Sequence, residues 1–175
     1  MKLSRLLEPL QGTEAVQDVE ITDIVYDSRK AKPGCAFVCM RGSASDGHKY
    51  AAGAVKAGAV AVIAEEPVEA PGAQVVLVPD TRKALALMSA VFFGRPAEGE
   101  IRVIGVTGTK GKTTTAYMIR SILESAGYKT GIIGTIGVLI GEELMETENT
   151  TPMSYDIQMY LRRMADAGCA YCVME

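Results

Sequence analysis

The chain has 175 residues, 48% of them hydrophobic, and its 18 basic and 21 acidic side chains give a formal charge of −3. That length allows one or two domains and that composition can fill a core. The charges are intermixed, which leaves no basic patch for nucleic acid or an anionic membrane, and no apolar run approaches the ~18 residues of a membrane span.

The start, Met1-Lys2-Leu3-Ser4-Arg5, lacks the long uncharged stretch of a signal peptide, so a cytoplasmic protein acting on small molecules is expected. Residues 3–10 read as a short helix, 21–26 as a strand, and 36–40 as a second strand after the turn Lys32-Pro33-Gly34. The small-residue run 50–58 reads as a helix, 59–64 and 74–78 as buried strands. Asp80 caps the next helix, whose Leu85, Met88, Val91 and Phe92 share a face and which Gly94 and Pro96 stop. A first unit, an α/β domain over residues 1–97, ends there.

The second unit covers 98–175. Its first strand begins at Ile101 and feeds the loop Val106-Thr107-Gly108-Thr109-Lys110-Gly111-Lys112-Thr113-Thr114. The following helix places Ile119, Ile122, Leu123 and Ala126 at one-face spacing and stops at Gly127. Residues 129–134 read as a strand, 136–147 as a hairpin turning at Gly141-Glu142, 152–167 as a helix with Ile157, Leu161 and Met164 inward, and 170–174 as a last strand. Alternation of strands and helices predicts a largely parallel sheet in each unit.

The loop has the context of a phosphate site. A strand, a glycine-rich turn and a helix aim backbone N–H groups and the positive end of a helix dipole at one point. Gly108 and Gly111 admit close approach, Lys112 reaches the β and γ phosphates, and the Thr113 hydroxyl can ligate Mg²⁺. Glycine usually stands with four residues between it and the Gly-Lys-Thr, at the place where this chain has Val106.

Other features have plainer readings. Cys35, Cys39, Cys169 and Cys172 lie in apolar segments and read as buried reduced thiols. Asp27-Ser28 reads as a turn after a strand. His48, the sole histidine, reads as a polar residue opening a helix. Thr151 and Pro152 read as the N-cap and first position of a helix, and Glu175 as a terminal charge.

The loop Thr107–Thr114 resembles the ATP-binding loop of the Mur ligase superfamily, in which the residue at Val106 is not glycine and Asn often stands where this chain has Lys110. Asp27-Ser28-Arg29, Lys32-Pro33-Gly34, Asp46-Gly47-His48 and Gly58-Ala59-Val60-Ala61 resemble the amino-terminal UDP-substrate domain of the ligases that add the third or last peptide unit. Gly134-Thr135-Ile136-Gly137, Asn149-Thr150-Thr151-Pro152 and Val173-Met174-Glu175 resemble the third-residue ligases.

That resemblance implies an α/β UDP-substrate-binding domain followed by the first part of a P-loop, Rossmann-like, parallel-sheet ATPase domain. It implies that Tyr26, Ser28, Ser43, Ala44 and Ser45 hold the uridine and pyrophosphate of UDP-N-acetylmuramoyl-L-alanyl-D-glutamate, and that Asn149, Thr150 and Thr151 approach its muramoyl-peptide end. Gly108, Thr109, Lys110, Gly111, Lys112, Thr113 and Thr114 bind ATP, Lys112 is catalytic, and Thr113 with Glu175 holds Mg²⁺. The reaction is ATP-dependent amide formation with a diamino acid through an acyl phosphate. The family's elements beyond Glu175 are absent from this sequence, which implies little or no turnover by the chain alone and an exposed, dimer-forming edge at strand 170–174. The alternatives are a non-catalytic module binding nucleotide or UDP-sugar-peptide, and another member of the superfamily.

Overall fold

The structure, a computed structural model, describes residues 1–10, 12–13, 17–42, 45–147 and 149–175. The chain divides into two compact units, Met1–Phe92 and Phe93–Glu175.

In the first unit β1 (Asp23–Val25), β2 (Cys35–Val38), β3 (Ala61–Ala64) and β4 (Gln74–Leu77) form a parallel sheet in chain order. Every residue of β2 and β3 is buried, as parallel strands covered on both faces require. One set of alternating side chains, including Cys35, Phe37, Val62 and Ala64, packs with Ala51 and Ala54 of α2 (Ala51–Lys56). The opposite set includes Ala36, Val38 and Ile63. Two further helices, α1 (Leu3–Leu7) and α3 (Thr81–Phe92), pack on each other and bury Leu3, Leu6, Leu85 and Met88. Asp80 caps α3, accepting a hydrogen bond from Lys83 N at 2.9 Å.

In the second unit β5 (Arg102–Gly105), β6 (Thr130–Gly134), β7 (Gly137–Ile140), β8 (Glu143–Met145) and β9 (Tyr171–Met174) are ordered β5-β9-β6-β7-β8. The first three strands are parallel, while the β7–β8 hairpin turns at Gly141-Glu142 and joins β6 antiparallel. The expected edge at residues 170–174 is therefore corrected: β9 is enclosed between β5 and β6, and Cys172 and Val173 are fully buried. The edge strands are β5 and β8, because the chain crosses over twice before laying its last strand into the gap beside β5.

Two helices serve this sheet. One is α5 (Ser154–Asp166), which buries Leu161 and Met164 and leans Ile157 against a core containing Ile133, Val138 and Cys172. Arg162 on its outer side grips Glu100 with two bonds of 2.7 Å. The other is α4 (Lys112–Ser125), which lies over β6 and β9 but fully buries only Ala116. Its expected face needs correction: Ile119 and Leu123 are half-buried, while Ile122 is 69% exposed and Ala126 is exposed. Each helical residue turns ~100°, so a contact line through Ala116 and Leu123 rotates Ile122 out to solvent.

All four cysteines are buried free thiols, and burial pushes those of Cys39 and Cys172 up to about 12. No helix of the described residues is long and apolar enough to cross a membrane.

Candidate nucleotide and substrate sites

The loop after β5 rises from the carboxyl ends of parallel strands, where open α/β sheets place their ligands. Val106 N donates to Met174 O at 2.8 Å, so the loop starts in register with β9. Gly108 at φ +151° and Gly111 at φ +80° sit in backbone conformations that disfavour side chains. Gly111 is the N-cap of α4, its carbonyl accepting from Thr115 N at 2.9 Å. The first turn of α4 therefore points its free N–H groups out of the loop. Lys112 Nζ donates to Gly108 O at 2.9 Å, which folds the lysine across the loop mouth. Thr109, Lys110 and Thr114 are exposed around it.

Facing the loop, Glu175 follows β9 directly. Its Oε2 accepts from Thr113 Oγ1 at 3.0 Å and from Thr135 Oγ1 at 3.2 Å, and its Oε1 accepts from Thr135 N at 3.2 Å. Thr151 Oγ1 donates to the Glu175 backbone oxygen at 3.0 Å, and the Thr150 hydroxyl lies 3.3 Å from that of Thr135. The structure thus brings together Thr113, Thr150, Thr151 and Glu175, which lie far apart in sequence.

Thr151 is not the N-cap of α5. The helix starts two residues beyond Pro152, and its cap, Met153, offers no side-chain acceptor. The Thr151 hydroxyl is engaged with Glu175 instead. Asn149 is exposed nearby, and its backbone oxygen accepts from Thr147 Oγ1 at 3.0 Å.

Two residues that hold this arrangement were missed as site residues, Gly134 and Thr135. A Cβ at Gly134 would overlap Glu175 Oε1 and stand 2.8 Å from its Cδ, so only glycine leaves room for the carboxylate. Thr135 supplies both an N–H and a hydroxyl to the same group. The strand-terminal Gly-Thr pair was visible in sequence, but its partner, 40 residues on, was not.

The donor set suits a nucleotide with Mg²⁺. Threonine hydroxyl and carboxylate oxygens are the hard ligands that ion takes alongside phosphate oxygens. Glycines at the loop, a lysine at its mouth and a helix N-terminus fit a polyphosphate. A groove of about 620 Å³, lined by Arg102, Tyr128 and Tyr171, opens at the opposite, amino-terminal pole of the same strands, away from these groups.

In the first unit, Tyr26, Ser28 and Ser45 line one cavity of about 460 Å³ together with Phe37, Met40 and Tyr50. Asp27 caps a short 3₁₀ turn, Ser28–Lys30, accepting from Arg29 N at 3.0 Å. The Arg29 guanidinium folds back on Asp27 at 2.7 Å and pulls its carboxyl down to about 2. Ser43 and Ala44 lie outside the described residues.

Two family profiles match the chain, one described as "Mur ligase family, catalytic domain" over residues 20–93 and one as "Mur ligase middle domain" over 106–175. The chain belongs to the Mur ligase family.

Among curated Mur ligases, it is 45% identical over 169 residues to the UDP-N-acetylmuramoyl-L-alanyl-D-glutamate–2,6-diaminopimelate ligase of Clostridium perfringens (strain 13 / Type A), covering 96% of this chain and 34% of that protein. The solved structure of a UDP-N-acetylmuramoyl-L-alanyl-D-glutamate–2,6-diaminopimelate ligase superposes with a TM-score of 0.78 at 25% identity, over 99% of this chain and 35% of the other. The MurF ligase of Thermotoga maritima, solved in complex with ADP, gives a TM-score of 0.56 at 26% identity, over 86% of this chain and 31% of that one. This Mur ligase chain therefore spans about a third of the length of the relatives it matches. The α/β architecture, with its parallel strands and phosphate-type loop, is the family's Rossmann-like arrangement.

Proposed function

We propose that this chain carries the UDP-substrate and ATP sites of an ATP-dependent ligase that adds the third residue, a diamino acid, to UDP-N-acetylmuramoyl-L-alanyl-D-glutamate in peptidoglycan synthesis in the cytoplasm. The observation that carries the reading is the meeting of the loop residue Thr113 with Glu175, beside Thr150 and Thr151. The name of the 45% identical relative supports 2,6-diaminopimelate as the diamino acid.

A carboxylate resists attack by an amine because an oxide is a poor leaving group. Transfer of the γ-phosphoryl group of ATP to a D-glutamyl carboxylate oxygen breaks the terminal phosphoanhydride bond and releases ADP. The amine then attacks the acyl carbon, expels phosphate and loses a proton, which completes the amide. Lys112 supplies a cation to the transferring phosphoryl group, and the loop 106–111 with the α4 terminus orients it in line. Thr113 Oγ1 and the Glu175 carboxylate are the residues that would hold Mg²⁺, whose chemistry there is to neutralise charge on the β and γ phosphate oxygens. Thr135 and Gly134 keep that carboxylate aimed at the loop. Asn149, Thr150 and Thr151 receive the muramoyl-peptide end, while the cavity beside Tyr26, Ser28 and Ser45 receives the uridine and pyrophosphate.

Self-association belongs to this reading as well. Its place is one of the two edge strands, β5, where Val103 is 39% exposed, rather than strand 170–174.

The test is calorimetric titration of the chain with the UDP-dipeptide and, separately, with Mg·ATP. Saturable heat is expected from each, and silence from both overturns the reading.

A further inference from the structure

We infer that His48 is a positioning residue that holds Arg41–Gly42 and Ser45–Gly47 onto the first unit, and so shapes the mouth of the UDP-substrate cavity. This rests on the reading of that cavity given above.

The ring of His48 is buried, its side chain only 4% exposed, and both its nitrogens are committed. Nε2 accepts from Glu65 N at 2.9 Å, which fixes the proton on Nδ1, and Nδ1 donates to Asp46 Oδ1 at 2.6 Å. One imidazole therefore ties the segment after β3 to Asp46. Asp46 Oδ1 also accepts from His48 N at 3.0 Å, capping the 3₁₀ turn Gly47–Tyr50 that enters α2.

Backbone bonds and Arg41 act on the same stem. Arg41 and Asp46 pair as an antiparallel bridge, in which Gly42 N donates to Ser45 O at 2.9 Å. Gly47 N donates to Met40 O at 2.9 Å, and a Cβ on Gly47 would stand 2.7 Å from Met40 N and 2.8 Å from Met40 O, both backbone atoms. Arg41 pairs with Glu66 at 2.9 Å, and its carbonyl accepts from Arg82 of α3 at 3.0 Å. Gly42, Ser45 and Gly47 all line the cavity beside Ser28.

Asp46, His48 and Glu66 also present ligand atoms within 4.8 Å of one another. That cluster is a hydrogen-bonded clamp rather than a cation site, because neither ring nitrogen has a free lone pair and Glu66 is held by Arg41.

The experiment uses the 175-residue chain with two substitutions. His48→Phe keeps a ring in the core and removes both nitrogens, whereas His48→Gln restores an acceptor for Glu65 N–H. Affinity for UDP-N-acetylmuramoyl-L-alanyl-D-glutamate should fall about tenfold in His48→Phe and recover in large part in His48→Gln, with Mg·ATP affinity unchanged. Amide exchange at Gly42 and Glu65, read by NMR without ligand, should quicken about tenfold in His48→Phe while the amides of β2 and β3 keep their protection. If His48→Phe unfolds, Asp46→Ala cuts the same tie from the exposed side and is expected to give the same two changes. Unchanged affinity in a folded variant, or amides at Gly42 and Glu65 that keep their protection, overturns the inference. Failure of the unsubstituted protein to bind the UDP-dipeptide overturns the functional reading of the cavity instead, and the exchange rates still decide the clamp.

Discussion

Thr113 Oγ1 donates a hydrogen bond to Glu175 Oε2 at 3.0 Å across 62 residues of sequence. The hydroxyl stands in the first turn of α4 and the carboxylate at the end of β9, so the pairing exists only because β9 inserts beside β5. With its proton directed to Glu175, the Thr113 oxygen keeps lone pairs for a cation.

Gly134 tests whether that carboxylate must sit where it does. In Gly134→Ala the new methyl takes the space of Glu175 Oε1, and the carboxylate must leave its bonds to Thr113 and Thr135. The displaced group is the far end of a flexible side chain, so the cost is that of its lost hydrogen bonds, about 0.5–1.5 kcal/mol each. The expected outcome is a folded protein with a lower unfolding midpoint whose ATP affinity no longer rises when Mg²⁺ is added, measured by denaturant melts and calorimetry.

Asp27 tests the cap beside the substrate cavity. Its carboxyl is lowered from the ordinary 3.8 to about 2, with the Arg29 hydrogen bond the largest cause. A depressed folded-state value means the stabilisation is fully present above pH 3.8 and is lost as the pH falls through about 2. A ¹³C carboxyl titration should find the Asp27 midpoint near the lower figure, and Arg29→Ala should return it most of the way to 3.8.

The uneven burial of the two helices on the second sheet predicts unequal sensitivity. Met164 is fully buried, so Met164→Ala should cost about 2–5 kcal/mol. Ile122 is 69% exposed, so Ile122→Ala should stay within about 0.5 kcal/mol of the parent in the same urea melt.

The edge of β5 predicts the mode of self-association. Light scattering should show mass rising with concentration, and Val103→Lys, a charge placed on the edge strand, should hold the chain monomeric. A parent that stays monomeric at high concentration contradicts the assignment.

Much of this was legible in sequence where the signal is local. The phosphate-type loop was readable because strand, glycines, Gly-Lys-Thr and helix are contiguous, and β2 and β3 because a strand buried on both faces is a continuous apolar run. What escaped is non-local. The order β5-β9-β6 depends on which gap the last strand fills, and periodicity carries no record of that. The face of α4 was misjudged at Ile122 because helix spacing gives a stripe but not its rotation toward the sheet. Thr151 fits a helix cap by local rules, yet the Glu175 backbone oxygen competes for its hydroxyl and wins. His48 read as a polar residue opening a helix, and its tie to Glu65 escaped because that partner is 17 residues away.

The most direct test of the account is calorimetric titration of ATP into the chain and into its Glu175→Gln variant, each with and without Mg²⁺. Mg²⁺ is expected to tighten binding to the parent by about tenfold or more and to leave the variant unchanged, with similar affinities for the two in the absence of the metal. An equal gain from Mg²⁺ in both proteins would contradict the assignment of Thr113 and Glu175 as the pair that holds the ion.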